Sequence, residues 1–139
     1  MDVNDLGKIL VVCANADYPN NLSDTKDLVR ALLEEKLLPD KPYELISVNP
    51  APITKKVVYD SFIQGYFGSE EFLQKYQGQQ FDAIFFQGCM SGGEYIIGSI
   101  SIFYPKNTIP TIRLLLKKGG LFLNRVGSYN RGDGKSIRT

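Results

Sequence analysis

The chain has no histidine and no tryptophan. Without histidine there is no Ser-His-Asp or Cys-His nucleophile system, no histidine general base and no histidine-ligated zinc site. Any chemistry falls to Asp, Glu, Tyr, Lys, Cys or a bound cofactor. Cysteine is nearly as scarce. Cys13 and Cys89 are the only two, too few for a disulfide framework and without metal-ligand spacing, which points to a reducing cytoplasmic setting and a site without metal. Charge of one sign is missing as well. Lys+Arg 16 against Asp+Glu 15 leaves a formal charge of +1, so no overall field draws the chain to nucleic acid or to an anionic membrane. No apolar run approaches the roughly 18 residues of a membrane span. The opening MDVNDLGK is acidic and polar and lacks the layout of a signal peptide. With secretion unexpected, the Asn21-Leu22-Ser23 sequon reads as chance.

What the chain does have is the composition of an ordinary globular domain, 43% hydrophobic and 22% charged over 139 residues, enough to bury a core without staples. One domain is expected over 1–127, followed by a flexible basic tail over 128–139 that is poor in apolar residues. There is no internal repeat and no linker.

The pattern is organised around 81–95, FDAIFFQGCMSGGEY. Residues 83–86 read as a strand buried on both faces. It runs into a glycine-rich loop (Gly88, Gly92, Gly93) that carries Gln87, Cys89, Ser91 and Glu94. Three further strands follow from short branched runs at 8–14, 43–48 and 121–126. Between the first two, Ser23 or Asp24 is expected to cap a helix whose stripe is Leu28, Val29, Leu32, Leu33 and Leu37, ended by Pro39. The spacing of Val58, Tyr59, Phe62, Ile63, Tyr66 and Phe67 predicts a helix over 55–66. Ser69 is expected to cap a short one carrying Phe72, Leu73 and Tyr76. Residues 95–104 fit a short buried helix or an extra strand, and are read as helix. Thr108 and Pro110 open the last helix, with Ile112, Leu115 and Leu116 inward, Lys117 and Lys118 in its last turn and Gly119 or Gly120 as its stop.

Strands alternating with helices imply an α/β fold: a small doubly wound, Rossmann-like parallel sheet of about four strands in the order 2-1-3-4, with helices on both faces. The topological switch then falls between the first and third strands. The 15–21 and 87–94 loops are expected to face each other across it.

The stretch FDAIFFQGCM and, further on, LLLKKGGLFLNRVG together resemble the later half of the class I S-adenosylmethionine-dependent methyltransferases. In that family a strand beginning Phe-Asp precedes a helix ending in a Leu-Leu-Lys-Pro-Gly-Gly turn and then the next strand. Phe81-Asp82 and Leu115-Leu116-Lys117-Lys118-Gly119-Gly120 fill those places, with Lys118 for the proline. The resemblance lies mainly in 81–127. It implies S-adenosylmethionine as cofactor, held by Asn15, Ala16, Asp17 and Asn49 on one side and by Gln87, Gly88, Cys89 and Met90 on the other. It also implies methyl transfer, which rests on aligning donor and acceptor and needs no histidine.

The first half departs from that family. Residues 13–17 hold no glycine where the family has its glycine-rich turn. Asn49 stands where an acidic residue holds the ribose hydroxyls, so the charge-assisted hydrogen bonds are lost. These departures frame the alternative, a non-catalytic interaction or structural protein that keeps the fold without a cofactor site. A second resemblance, in KILVVCANADYPNNLSDT, is to the start of flavodoxin-like quinone reductases. It implies an FMN phosphate among helix-end amides and the hydroxyls of Ser23 and Thr25, although an ordinary capped helix explains the same residues.

The remaining motifs favour structural readings. Asp17 and Glu94 suit a hydroxyl acceptor or general base, but equally a turn aspartate and a helix-opening carboxylate. Cys89 has no histidine to lower its pKa, so both cysteines read as small buried hydrophobes. Tyr18 and Tyr95 fit stacking on a planar ligand or the rim of a core. Gly134-Lys135-Ser136 resembles the end of a P-loop, but Tyr129 stands where the motif's first glycine belongs, which rejects it. Arg131-Gly132-Asp133 has meaning only outside the cell. Arg125, Arg131, Lys135 and Arg138 read as a solvated basic tail rather than a phosphate-binding one.

Overall fold

The computed structural model describes residues 6–12, 19–49, 59–86, 96–97, 100–101 and 105–124. In chain order these form β1 (Gly7–Val12), α1 (Pro19–Glu34), β2 (Tyr43–Asn49), β3 (Ser61–Gln64), α2 (Glu70–Tyr76), β4 (Phe81–Phe86), β5 (Ile96–Ile97), β6 (Ile100–Ser101), α3 (Pro105–Leu115) and β7 (Leu116–Asn124). Five strands make one all-parallel sheet in the order β3-β2-β1-β4-β7, and β5 and β6 pair antiparallel on their own.

The strand count and order differ from the expected four in the order 2-1-3-4. The difference is β3, which adds an edge beside β2. Helical spacing over 55–66 misled here, because 61–64 is a strand. Phe62 and Ile63, neighbours in sequence, pack against opposite faces of the sheet, as strand alternation requires and a single helix stripe does not. The open edge of β2 decided the outcome. Its Leu45 amide donates to Asp60 Oδ2 at 2.8 Å, and the Asp60 amide donates back to the Leu45 carbonyl at 3.1 Å.

β1 and β4 lie at the centre and are buried on both faces. Ile9, Val11, Ala83 and Phe85 face α1 with Leu32 and Leu45, whereas Leu10, Val12, Ile84 and Phe86 face α2 and α3 with Phe72, Ile112 and Leu115. Burying each large side chain stabilises by about 1.5–3 kcal/mol. On the second face aromatic rings interlock, with Phe67 and Phe122 meeting Phe86 edge-on at centroid separations of 5.4 and 5.2 Å. Helices therefore cover both faces. The chain steps from β1 to β2 by way of α1 on one face, and from β4 to β7 by way of α3 on the other. A constant crossover hand demands that change of face when the direction of travel reverses.

The helix ends correct several expectations. α1 opens on Pro19 and α3 on Pro105, both in the first position, where a missing amide costs nothing. Ser23 and Asp24 therefore lie inside α1 rather than capping it, and Pro110 lies inside α3 rather than opening it. α1 stops before Leu37, which is 59% exposed and outside the stripe. Its end is a Schellman motif, with the Leu37 amide on the Leu32 carbonyl, the Lys36 amide on the Leu33 carbonyl and Lys36 left-handed at φ 62. Ser69 does cap α2, accepting from the Phe72 amide at 3.1 Å. Within 95–104, the described residues are the β5–β6 pair and not a helix.

The expected helix stop at Gly119 or Gly120 is instead a bulge in β7. Phe81 pairs with Leu116 and Ala83 with Leu121, so β4 advances two residues while β7 advances five. Leu116, Lys117 and Lys118 thus belong to the strand rather than to the end of α3. Gly119 sits in the bulge at φ 80, and a Cβ on Gly120 would lie 2.8 Å from the Lys117 carbonyl oxygen and 2.9 Å from that of Asp82. No helix among the described residues is long and apolar enough to cross a membrane.

Candidate functional site

The carboxyl edge of the sheet holds the candidate site. Val12 and Phe86 are register partners at the ends of β1 and β4, so the segments 13–18 and 87–95 leave the sheet from adjacent points. The sequence moves away from β1 in one direction to β2 and in the other to β4, which makes this pair of strand ends the topological switch point. α1 starts after six intervening residues and runs back from this edge, so its amino terminus lies on the same side.

Of the candidate residues, Asn49 is placed by the structure. It ends β2 half-buried, and its carbonyl accepts from the Gly65 amide at 3.1 Å. Asn15, Ala16, Asp17, Gln87, Gly88, Cys89 and Met90 lie outside the described residues, as do Tyr18, Glu94 and Tyr95. Gln64 was missed by sequence reasoning because its segment carried a helical pattern. It pairs in register with Asn49 at the end of β3 and is exposed. Asn124, the register partner of Phe86, ends β7. β2 and β3 therefore both close on a carboxamide residue. No local pattern marks Gln64, because its strand forms only along the open edge of β2. Carboxamides both donate and accept, which suits hydroxyl and ring-nitrogen groups of a neutral ligand.

Thr25, read as a hydroxyl for a flavin phosphate, has a different role. It is fully buried within α1, and its Oγ1 lies 3.1 Å from the hydroxyl of Tyr59. Burial, with the Asp24 charge adding to it against the Thr25 hydrogen bond, pushes the Tyr59 phenol up to about 12. The pair is a neutral buried link between α1 and the segment entering β3.

A charged cluster lies at the opposite, amino edge. Asp82 at the second position of β4 accepts from the Lys8 amide at 2.9 Å and lies 3.0 Å from Lys41 Nζ and 3.1 Å from Lys117 Nζ. Burial pushes its carboxyl up, but the Lys8 amide and the two ammonium groups outweigh it and hold the pKa below the ordinary carboxylate value. Tyr43 beside it is raised to about 12 by burial and by the charges of Asp82 and Asp40. A carboxylate so fully engaged is a poor proton acceptor, so the cluster is a clamp rather than a general base. No group of three or more His, Cys, Asp or Glu that could hold a metal ion occurs among the described residues.

No family model, curated protein or solved structure matches this chain.

Proposed function

We propose that this chain is a Rossmann-like nucleotide-binding domain whose ligand, S-adenosylmethionine or a related nucleoside, occupies the crevice between β1 and β4. The observation that carries the reading is the adjacency of Val12 and Phe86 where the direction of travel across the sheet reverses. Numbered within the sheet, the strand order is 3-2-1-4-5, as in the first five strands of the doubly wound dinucleotide-binding sheet, where ligands lie outside the carboxyl ends at such a reversal. Asn15, Ala16 and Asp17 would form one wall and Gln87, Gly88, Cys89 and Met90 the other. Asn49, with Gln64 beside it, would meet the ribose hydroxyls. The choice of an S-adenosyl ligand rests on the resemblance of 81–127 to the methyltransferases, and a fold shared with many functions carries no more than that.

The second reading is an interaction protein that keeps the fold without the cofactor. What favours it is where the methyltransferase-like residues sit. Asp82 and Lys117 meet at the amino edge and serve the sheet itself.

Thermal melting with S-adenosylmethionine, S-adenosylhomocysteine or FMN in excess separates the readings. Ligand at about 100 times its Kd adds about 2.7 kcal/mol and raises the midpoint visibly. A shift with either adenosyl compound that shrinks in Asn49→Ala supports the first reading, and a shift with FMN alone redirects it to a flavin. No shift with any of them sinks the first reading and leaves the second.

A further inference from the structure

We propose that the cleft between α1 and the start of β2, at the far edge of the sheet from the nucleotide crevice, docks an acidic peptide segment that carries one aliphatic side chain. The cleft holds about 490 Å³, the size of a small-ligand pocket, but it is an open groove, a shape suited to an extended chain. Its floor is apolar, made by Val29 and Leu33 of α1 and by Pro42 and Leu45 below them.

Its rim is cationic on both sides. Lys26 and Arg30 project from α1, and Lys41 stands opposite beside the Tyr43 ring, with its ammonium 5.9 Å from the ring centroid. Asp60 is the one acid among the described residues of the lining, and an oxygen of its carboxylate accepts from the Leu45 amide at 2.8 Å.

The partners of these cations leave positive charge over. Asp82 supplies a single carboxylate to two ammonium groups, Lys41 and Lys117, at 3.0 and 3.1 Å. Arg30 pairs with Asp27 three residues earlier at 2.9 Å, both about two-thirds exposed, and such a surface pair contributes at most about 1 kcal/mol, so an incoming carboxylate replaces Asp27 at little cost. Positive charge on both walls over an apolar floor matches carboxylates flanking one aliphatic side chain. It repels a basic partner.

The test is fluorescence anisotropy with a fluorescein-labelled peptide of one leucine between two pairs of glutamates, using the whole chain. Saturable binding is expected, weaker by about tenfold or more (about 1.4 kcal/mol) in the Lys26→Glu/Arg30→Glu variant. It should also weaken steeply as salt shortens the Debye length from about 10 Å toward 3 Å. Both side chains are exposed, so circular dichroism should show the variant folded; if it does not, Lys26→Gln and Arg30→Gln singly carry the comparison. Three results overturn the proposal: no binding at about 1 mM peptide, equal binding of the lysine-for-glutamate peptide, or equal affinity in the variants. Light scattering that shows a dimer made monomeric by the same substitutions also overturns it, because the occupant is then a second copy. Binding of S-adenosylmethionine at the other edge is unaffected by these variants, so the two readings fail separately.

Discussion

Lys117 Nζ lies 3.1 Å from Asp82 Oδ1, and that contact ties the bulged entry of β7 to the first residues of β4. The same carboxylate holds the Lys8 amide at the start of β1, so one side chain joins the three strands at their amino ends. Asp82→Asn keeps the shape and loses the charge, and is expected to cost about 1–3 kcal/mol at neutral pH in urea unfolding. The folded pKa of Asp82 lies below its ordinary value of 3.8. Its contribution is therefore fully present above about pH 4 and is lost as the pH falls through the lowered folded value. An acid limb of stability as steep in Asp82→Asn as in the native chain would refute this role.

Gly120 is fixed by contact with backbone, which cannot yield as a side chain can. A Cβ there would meet the Lys117 and Asp82 carbonyl oxygens at 2.8 and 2.9 Å, whereas one on Gly65 would meet nothing within 4 Å. Gly120→Ala should destabilise by about 1–3 kcal/mol. Gly65→Ala should be neutral or stabilise by up to about 1 kcal/mol. Denaturant midpoints of the two variants that move together would contradict the bulge geometry.

Two threonines buried in helices should respond with opposite signs to the same change. Thr111, 1% exposed in α3, has no hydrogen-bond partner for its Oγ1 among the described residues, while Thr25 in α1 is bonded to Tyr59. Thr111→Val removes an unsatisfied hydroxyl and should stabilise by about 1 kcal/mol. Thr25→Val strands the Tyr59 hydroxyl and should destabilise by about 1–3 kcal/mol. Calorimetric midpoints give the signs directly.

Alkaline titration reads two phenols, the buried Tyr59 and the half-buried Tyr43. Tyr59 and Tyr43 both rise from 10.0 to about 12 in the folded chain. A raised pKa contributes stability that is complete below the unfolded value near 10 and is lost as pH climbs through the folded value near 12. Tyr59→Phe should remove part of that loss, and Tyr43→Phe another part. Unfolding measured at intervals from about pH 9 upward checks both. An unchanged alkaline limb in the two variants would rule out the raised values.

Much of the fold was legible in local pattern. The runs at 8–14, 43–48 and 83–86 announce strands because only an element buried on both faces carries that density of branched and aromatic residues. Ser69 announces a cap because its hydroxyl serves an amide three residues on. The misreadings share one cause, which is that local signals were satisfied more than once. Pro110 reads as a helix start, yet the first positions of α1 and α3 are taken by Pro19 and Pro105. Phe62 and Ile63 fit a helix stripe and also a strand with two faces. Within the site, Asn49 could be named from its place at the end of a strand. Gln64 could not, since its neighbourhood in β3 exists only once β2 offers an edge.

By itself the sequence determined the α/β class, the central strands β1 and β4, and the absence of histidine chemistry, since these follow from composition and from periodicities a few residues long. Tertiary structure decided the fifth strand, the bulge at Lys117–Gly120 and the three-way grip of Asp82. Each of these depends on hydrogen bonds between residues far apart in the chain, such as Lys8 with Asp82 and Asp82 with Lys117. A backbone amide or a carboxylate pairs with whatever the sheet brings beside it, and no local pattern encodes that neighbour.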